Sequence, residues 1–265
     1  MTQKFLNHGE KDNPSGEMII KEFQGFSGSR IYLMKGDSGL FVRKVGDELS
    51  IARNLERLTA LADICPVPKI FSCSKTEIDM EYIHGLDIKT YLKINQSDNL
   101  IKFLLKTLGI LSSQCIEKDY TSTYIKNLSD IEFSHDLPFT PHQLLDRLPK
   151  ILPASNYCGD MTLENIIYTE DRGFYLIDCV TVDYDSYIFD IAKLRQDLEC
   201  GWFIRGTTTA LDLKTSHIQN QLLCQYPQAN NDYILILMLL RVYRHTKFGS
   251  PERELLIRGI ERLWK

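Results

Sequence analysis

The stretch Cys158-Gly159-Asp160-Met161-Thr162-Leu163-Glu164-Asn165 places an aspartate five residues ahead of an asparagine, just before the apolar run Ile166-Ile167-Tyr168. A second aspartate, Asp178, follows 13 residues after Asn165 at the end of Tyr175-Leu176-Ile177. Two carboxylates and a carboxamide around one turn and one hairpin make an oxygen donor set. Such a set suits Mg²⁺, a hard cation held by few carboxylates together with phosphate oxygens. The same residue types also serve plain loop hydrogen bonding, as Asp and Asn do in turns. Asp183 and Asp185 come next and read either as turn-forming carboxylates or as substrate contacts. Asp190 opens a helical stretch, where an acid satisfies the first N–H groups. Further on, Arg241, Arg244 and His245 lie at i, i+3 and i+4, on one helix face. They form either a solvated face or a recognition surface for an anionic group.

These residues need elements to position them. Residues 1–17 are polar with Gly and Pro and are expected to form a loose leader without an apolar core of signal-peptide length. Strand-like alternation then covers Met18–Phe23, Arg30–Lys35 and Leu40–Val45, with Gly25-Phe26-Ser27-Gly28-Ser29 between the first two and Gly36-Asp37-Ser38-Gly39 between the last two. In the third strand Leu40, Val42 and Lys44 share one face, and Phe41, Arg43 and Val45 the other. Helical spacing follows over 47–63, through Leu55, Leu58, Leu61 and Ala62, until Pro66-Val67-Pro68 stops it. Two more strands are expected at Lys69–Ser72 and Glu77–Ile83. Beyond Gly85 the pattern is mostly helical. Leu100, Phe103, Leu104, Thr107, Leu108, Leu111 and Cys115 mark one long buried helix, capped by Ser97 or Asp98. Thr140-Pro141-His142-Gln143 reads as a capping box opening a helix through Leu148. Asn165–Thr169 and Phe174–Cys179 form a hairpin around Glu170-Asp171-Arg172-Gly173, and helices are expected over 188–200 and 230–248. The expected class is α+β, with two lobes (18–83 and 84–265) joined near residues 82–88.

Composition narrows the function. The 265 residues are 43% hydrophobic and 25% charged, which excludes a disordered or collagen-like chain. A net charge of −4 argues against a nucleic-acid partner. The charge is uneven: from Arg241 onward seven Lys/Arg face three Asp/Glu, a net of +4, leaving −8 for residues 1–240. The seven cysteines form an odd set without CxxC spacing, so free thiols in a reducing, cytoplasmic setting are expected rather than a disulfide framework or a zinc site. The longest apolar run, Ile234–Leu240, is far short of the roughly 20 residues that span a bilayer.

With these residues in hand, Asp160-x4-Asn165 followed by Ile177-Asp178 resembles the catalytic loop and metal-binding aspartate of protein-kinase-like phosphotransferases. It looks closest to the aminoglycoside phosphotransferase and choline kinase branch. Other landmarks follow the family's order. Gly25-Phe26-Ser27-Gly28-Ser29 is similar to the phosphate-covering loop, and Phe41-Val42-Arg43-Lys44 ends a strand as the nucleotide lysine does. Glu81-Tyr82-Ile83-His84-Gly85 looks like the hinge, and Phe189-Asp190-Ile191-Ala192-Lys193-Leu194 resembles the Asp-Leu-Ala segment. The likeness runs from about residue 18 to 200.

The resemblance implies a bilobal protein-kinase-like fold and an ATP- and Mg²⁺-dependent transfer to a hydroxyl of a small molecule, with a sugar or envelope-polysaccharide precursor as the nearest analogy. By the same resemblance Asp160 orients the attacking hydroxyl, Asn165 and Asp178 hold Mg²⁺, and Lys44 pairs with the α- and β-phosphates. Backbone groups of Gly25, Ser27, Gly28 and Ser29 meet phosphate oxygens, and the Glu81–Ile83 segment meets the nucleotide. Asp183 and Asp185 follow where the acceptor should sit and read equally as substrate contacts or turn-forming carboxylates. Arg241 and Arg244 read as a solvated face or as contacts to an anionic group, and by the resemblance Asp190 braces the catalytic loop. Cys158 stands where the family usually has His and is expected to be a buried structural thiol that a His could replace. Glu48 and Glu56 are alternative partners for Lys44, since Asn54, the position aligned first, is not acidic. A protein kinase and a non-enzymatic nucleotide-binding module are the rival readings. The protein kinase would want a longer activation segment with an Ala-Pro-Glu-like anchor, whereas Phe189 follows Asp178 by only 11 positions.

Overall fold

The computed structural model describes residues 17–23, 28–133, 136–206 and 211–265. The expected leader therefore lies almost wholly outside the described residues, as do Gly25 and Ser27. The chain forms two compact units: residues up to Leu55 with Pro68–Ile83, and Glu56–Val67 with His84–Lys265.

In the first unit β1 (Met18–Phe23), β2 (Arg30–Gly36) and β3 (Gly39–Val45) precede helix α1 (Glu48–Leu61), and β4 (Ile70–Cys73) and β5 (Glu77–Glu81) follow it. The strands form one antiparallel sheet in the order β1-β2-β3-β5-β4. The alternation expected along β3 is realised. Arg43 sits opposite Asp79 and grips it with two bonds of 2.7 and 2.8 Å, with Glu17 3.0 Å away. Lys44, on the other face, registers between Ile31 and Ile78 and is buried. The two adjacent cations thus lie on opposite faces of the sheet, Arg43 against its acids and Lys44 buried.

Residues 56–67 depart from the expected division. The last turns of α1 and the following bend bury Leu58, Leu61, Cys65 and Val67. Arg57 Nη1 donates to Tyr157 O at 3.1 Å, and Leu176 N donates to Pro66 O at 2.8 Å, so this segment packs with the second unit.

That unit begins with β6 (Leu86–Asp87), α2 (Ile88–Ile94) and α3 (Asp98–Leu111), then β7 (Ile116–Asp119), α4 (Thr121–Ser129), α5 (Pro141–Arg147) and β8 (Ile151–Ala154). A 3-10 turn at Leu163–Asn165 leads into the hairpin β9 (Ile166–Thr169) and β10 (Gly173–Leu176). Helices α6 (Tyr187–Leu198), α7 (Asp212–Gln225), α8 (Asp232–Tyr243) and α9 (Pro251–Leu263) complete it. β9 lies between β10 and β6, and β7 pairs with β8. Helix α3 stops at Leu111, short of the expected Cys115, which is exposed. Ser97, one of the two expected caps, occupies its N-cap position but makes no side-chain bond there. The capping box at Thr140 forms as expected, with Thr140 and Gln143 each satisfying the other's backbone N–H. The span 230–248 breaks at Tyr243, and a new helix starts at Pro251 behind its Ser250 cap.

Helix α6 is buried along its whole length and packs on α7 and α8. α8 carries the apolar run Ile234–Leu240, no residue of which is more than 1% exposed. The run is core helix, and no helix among the described residues is long and apolar enough to cross a membrane. The N-terminal antiparallel sheet and the helix-rich second unit make the chain α+β.

Candidate active site

The loop before β9 is shaped by one close approach. Gly159 has φ +91°, and a Cβ built on it would lie 2.0 Å from Val180 O. Only glycine fits there, because an L side chain disfavours that backbone and would strike the carbonyl. Val180 N also donates to Cys158 O at 3.0 Å, and Ile177 N to Asn165 O at 2.9 Å. The loop 158–165 and the segment 177–180 are thereby laced together. Asp178 sits between these two ties with φ 58°, the only non-glycine residue of positive φ among those described. Strain of this kind collects at functional positions.

Asp160 and Asn165 meet directly. Asn165 Nδ2 donates to Asp160 O at 2.9 Å and to Asp160 Oδ2 at 3.1 Å. With its amide nitrogen committed to the loop, Asn165 has Oδ1 as the end for a cation. Asp178 would add one carboxylate. One carboxamide and one carboxylate fit a Mg²⁺ ion whose remaining ligands are phosphate oxygens and water. Among the described residues no group of three or more His, Cys, Asp or Glu side chains forms a site that would hold a metal without such help.

Lys193 lies on the inner side of Asp160, its Nζ 3.0 Å from Oδ1. Burial pushes the Asp160 carboxyl up, but the charges of Lys193 and Arg241 and the bonds from Lys193 and Asn165 outweigh it and hold the group below the ordinary carboxylate range. Asp190 accepts from Cys158 N at 2.6 Å and Gly159 N at 2.9 Å, so it braces loop 158–165. Burial pushes it up to about 6 against those two N–H bonds. Asp197, one turn beyond Lys193, accepts from Leu163 N at 2.6 Å, and burial pushes it up to about 7.

The thiol of Cys158 is fully buried with Sγ 3.0 Å from Cys179 Sγ. That contact and burial push it well above its ordinary value, so it is an inert packing group and not a nucleophile. All seven cysteines are free.

The expected acceptor residues separate into two groups. Asp185 takes two bonds from Lys118 Nζ at 2.7 and 2.8 Å and one from Tyr120 OH at 2.9 Å, while Asp183 Oδ2 lies 2.8 Å from Lys126 Nζ. Lys118, Lys126, Asp183 and Asp185, with Ser122 and Tyr157, line an open groove of about 420 Å³. Arg241 stands over the Tyr184 ring at 5.4 Å, and its charge reaches Asp160. Arg244, at the exposed end of α8, turns instead to His245, with Nε 2.9 Å from Nε2.

In the first unit Gly28 has φ +77°, and Ser29 is buried with Oγ 3.4 Å from Ser50 Oγ. Glu81 shares its face with Phe41, across from the Lys44 side, and its carboxylate accepts from Lys69 N at 3.3 Å. Ile83 is buried. Glu48, one alternative for Lys44, instead lies 3.2 Å from Lys75 at the surface.

Sequence reasoning passed over Lys118, Lys126, Lys193 and Asp197. The first two carried no motif. The signal for the others was present: Asp190, Lys193 and Asp197 recur at i, i+3 and i+7, one polar stripe on a helix otherwise rich in Ile, Ala and Leu.

Residues 20–209 match the profile of the Phosphotransferase enzyme family, so the chain belongs to that family. Solved structures of similar fold include the ethanolamine kinase of Plasmodium vivax (12% identity, 92% of this chain and 81% of that one, TM-score 0.58). Choline kinase LicA from Streptococcus pneumoniae is also similar, at 17% identity, 88% and 89% coverage and TM-score 0.55. So is the ADP-bound aminoglycoside phosphotransferase APH(2'')-Ib, at 14% identity, 92% coverage of each chain and TM-score 0.55. Among curated proteins none matches this chain in sequence. The fold is thus the protein-kinase-like one of small-molecule kinases.

Proposed function

We propose that the chain transfers the γ-phosphoryl of ATP, with Mg²⁺, to a hydroxyl of a small molecule. The observation that carries this reading is the lacing of loop 158–165 to segment 177–180, which gathers Asp160, Asn165 and Asp178 around one Gly159–Val180 crossing. Phosphoryl transfer needs little covalent help, so catalysis rests on positioning and on countering charge. Asp160 accepts the hydrogen bond of the acceptor hydroxyl, aims its oxygen and takes its proton as the new O–P bond forms and the bond from the γ-phosphorus to the departing ADP breaks. Asn165 Oδ1 and the Asp178 carboxylate would hold Mg²⁺, which when bound neutralises phosphate charge. Lys44 is the residue for the α- and β-phosphates, and the backbone N–H groups of Gly28 and Ser29 are those for phosphate oxygens. Backbone groups of the Glu81–Ile83 segment meet the base.

The groove at Asp183 and Asp185 supports a class of acceptor. Both carboxylates are already matched by Lys126 and Lys118. A polycation would have to displace two lysines, whereas a neutral, hydroxyl-rich molecule can bond to both members of each pair. We therefore favour a sugar or an envelope-polysaccharide precursor, acted on in the cytoplasm, with Arg241 beside Asp160. Incubating the protein with Mg²⁺, γ-labelled ATP and a metabolite extract, with Asp160→Asn as control, tests the reading. Label should enter a small-molecule fraction with wild type alone. Label confined to protein would establish a protein kinase instead, and ATP binding without transfer would establish a binding module.

A further inference from the structure

We propose that Lys193 is a positioning residue for the transfer: its ammonium, bonded to Asp160 from the buried side, fixes the plane of the catalytic carboxylate. The inference rests on the function proposed above for Asp160. Its geometry is explicit. Asp160 is held at both oxygens, Oδ1 by Lys193 Nζ at 3.0 Å and Oδ2 by Asn165 Nδ2 at 3.1 Å. Two anchors on two oxygens remove rotation about the last torsion. The Asp160 side chain keeps about a third of its surface (34%) open to solvent, while that of Lys193 keeps 6%. The lysine therefore holds the carboxylate from behind and leaves its outer edge to an acceptor.

The placement of Lys193 follows from α6. Asp190, Lys193 and Asp197 fall on one stripe of this buried helix and reach three successive points of the loop. Asp190 takes the N–H groups of Cys158 and Gly159, Lys193 takes the Asp160 carboxylate, and Asp197 takes the N–H of Leu163. The helix is thus a rigid rod gripping the catalytic loop along its length. Apart from Asp160, the hydrogen-bond partner of Lys193 Nζ is Gln196 Oε1, at 3.4 Å. A buried ion pair is a poor source of stability, since an apolar residue of similar volume packs as well without desolvation. The charge at this place is accounted for by what it does to Asp160. Holding reacting groups to a fraction of an ångström is where rate is won or lost, and a displacement of about 1 Å costs on the order of 10²-fold.

Four proteins test this: Lys193→Met, Lys193→Arg, Asp160→Asn and the double variant Asp160→Asn/Lys193→Met, each assayed by label transfer and by thermal melting. Lys193→Met should lower kcat about 10²-fold with the KM for ATP within about twofold, because the lost term is orientation and not nucleotide binding. Lys193→Arg should recover most of the loss. The double variant should be no slower than Asp160→Asn, since Lys193 acts only through that carboxylate. It should also melt above Lys193→Met, in which the Asp160 charge has lost its partner. Wild-type kcat in Lys193→Met, or a double variant slowed by the product of the two single losses, overturns the proposal. If Lys193→Met does not fold, the double variant and Lys193→Arg carry the same comparison. If wild type transfers no label, the functional reading has failed. The melting cycle still reads the contact, and additive melting shifts would overturn it.

Discussion

Gly159→Ala is a small change whose effect can be worked out from distances. The built Cβ lies 2.0 Å from Val180 O, whereas contacts under 3.0 Å are essentially never seen. The loop and the 177–180 segment must separate by about 1 Å. A backbone of φ +91° adds its own cost, about 1–2 kcal/mol for an L residue in left-handed space. Overpacking against a backbone carbonyl adds about 1 kcal/mol or more. The sum, roughly 2–4 kcal/mol, corresponds to a melting temperature lower by about 5–15 °C in a chain of this size. The catalytic loss should exceed what stability alone explains. The same 1 Å displacement parts Asp160 from Asp178, and such a misplacement costs on the order of 10²-fold in rate. Gly173→Ala is the matched control: its φ is +80° but nothing lies within 4 Å of the built Cβ. It should lose about 1 kcal/mol and keep wild-type turnover. Thermal melts and label transfer from γ-labelled ATP below the lowest melting temperature measure both effects. A Gly159→Ala protein with wild-type turnover would refute the claim that this crossing aligns the site.

Other outcomes follow from the same contacts. Asp178→Gly should abolish turnover yet melt above Asp178→Ala by the equivalent of about 1 kcal/mol, because glycine relieves the φ of 58° and alanine does not; equal melting would deny the strain. Cys158→His should lower stability by about 1–3 kcal/mol, partly recovered by adding Cys179→Ala, since the imidazole must displace the thiol 3.0 Å away; an unchanged melt would show unused space. Asp197, pushed up to about 7 when folded against 3.8 ordinarily, holds a proton in the folded state that the unfolded chain releases. Wild-type stability should therefore fall relative to Asp197→Asn as pH rises from about 4 to 7, by on the order of a few kcal/mol; parallel urea curves at pH 4.5 and 7.5 would contradict this. Lys44→Ala should weaken Mg·ATP binding in calorimetry, and unaltered binding would remove Lys44 from the nucleotide site.

Much of the site could be read along the chain because its parts are local. Asp160, Asn165 and Asp178 fall within 19 consecutive residues, on a loop and a hairpin whose turn residues are unmistakable. The alternation along β3, which puts Arg43 and Lys44 on opposite faces, follows from the period of a strand. The Thr140 capping box needs only four residues. Helix ends were harder: α3 stops at Leu111, and the stripe extended to Cys115 had no local signal for the turn before β7.

The residue types of the catalytic loop, the strand-rich beginning and the helical remainder were set by sequence alone, because period, turn chemistry and spacing act over a few residues. Which charges meet was decided only by tertiary structure. Lys193 reaches Asp160 across 33 positions, Lys126 reaches Asp183 across 57, and Lys118 reaches Asp185 across 67. No local pattern encodes such pairs, since they depend on how buried helices pack and on which side of a loop each helix presents. The same holds for Cys158, whose thiol packs against Cys179 21 positions away, and for residues 56–67, which a helical period alone could not assign to the unit they pack with.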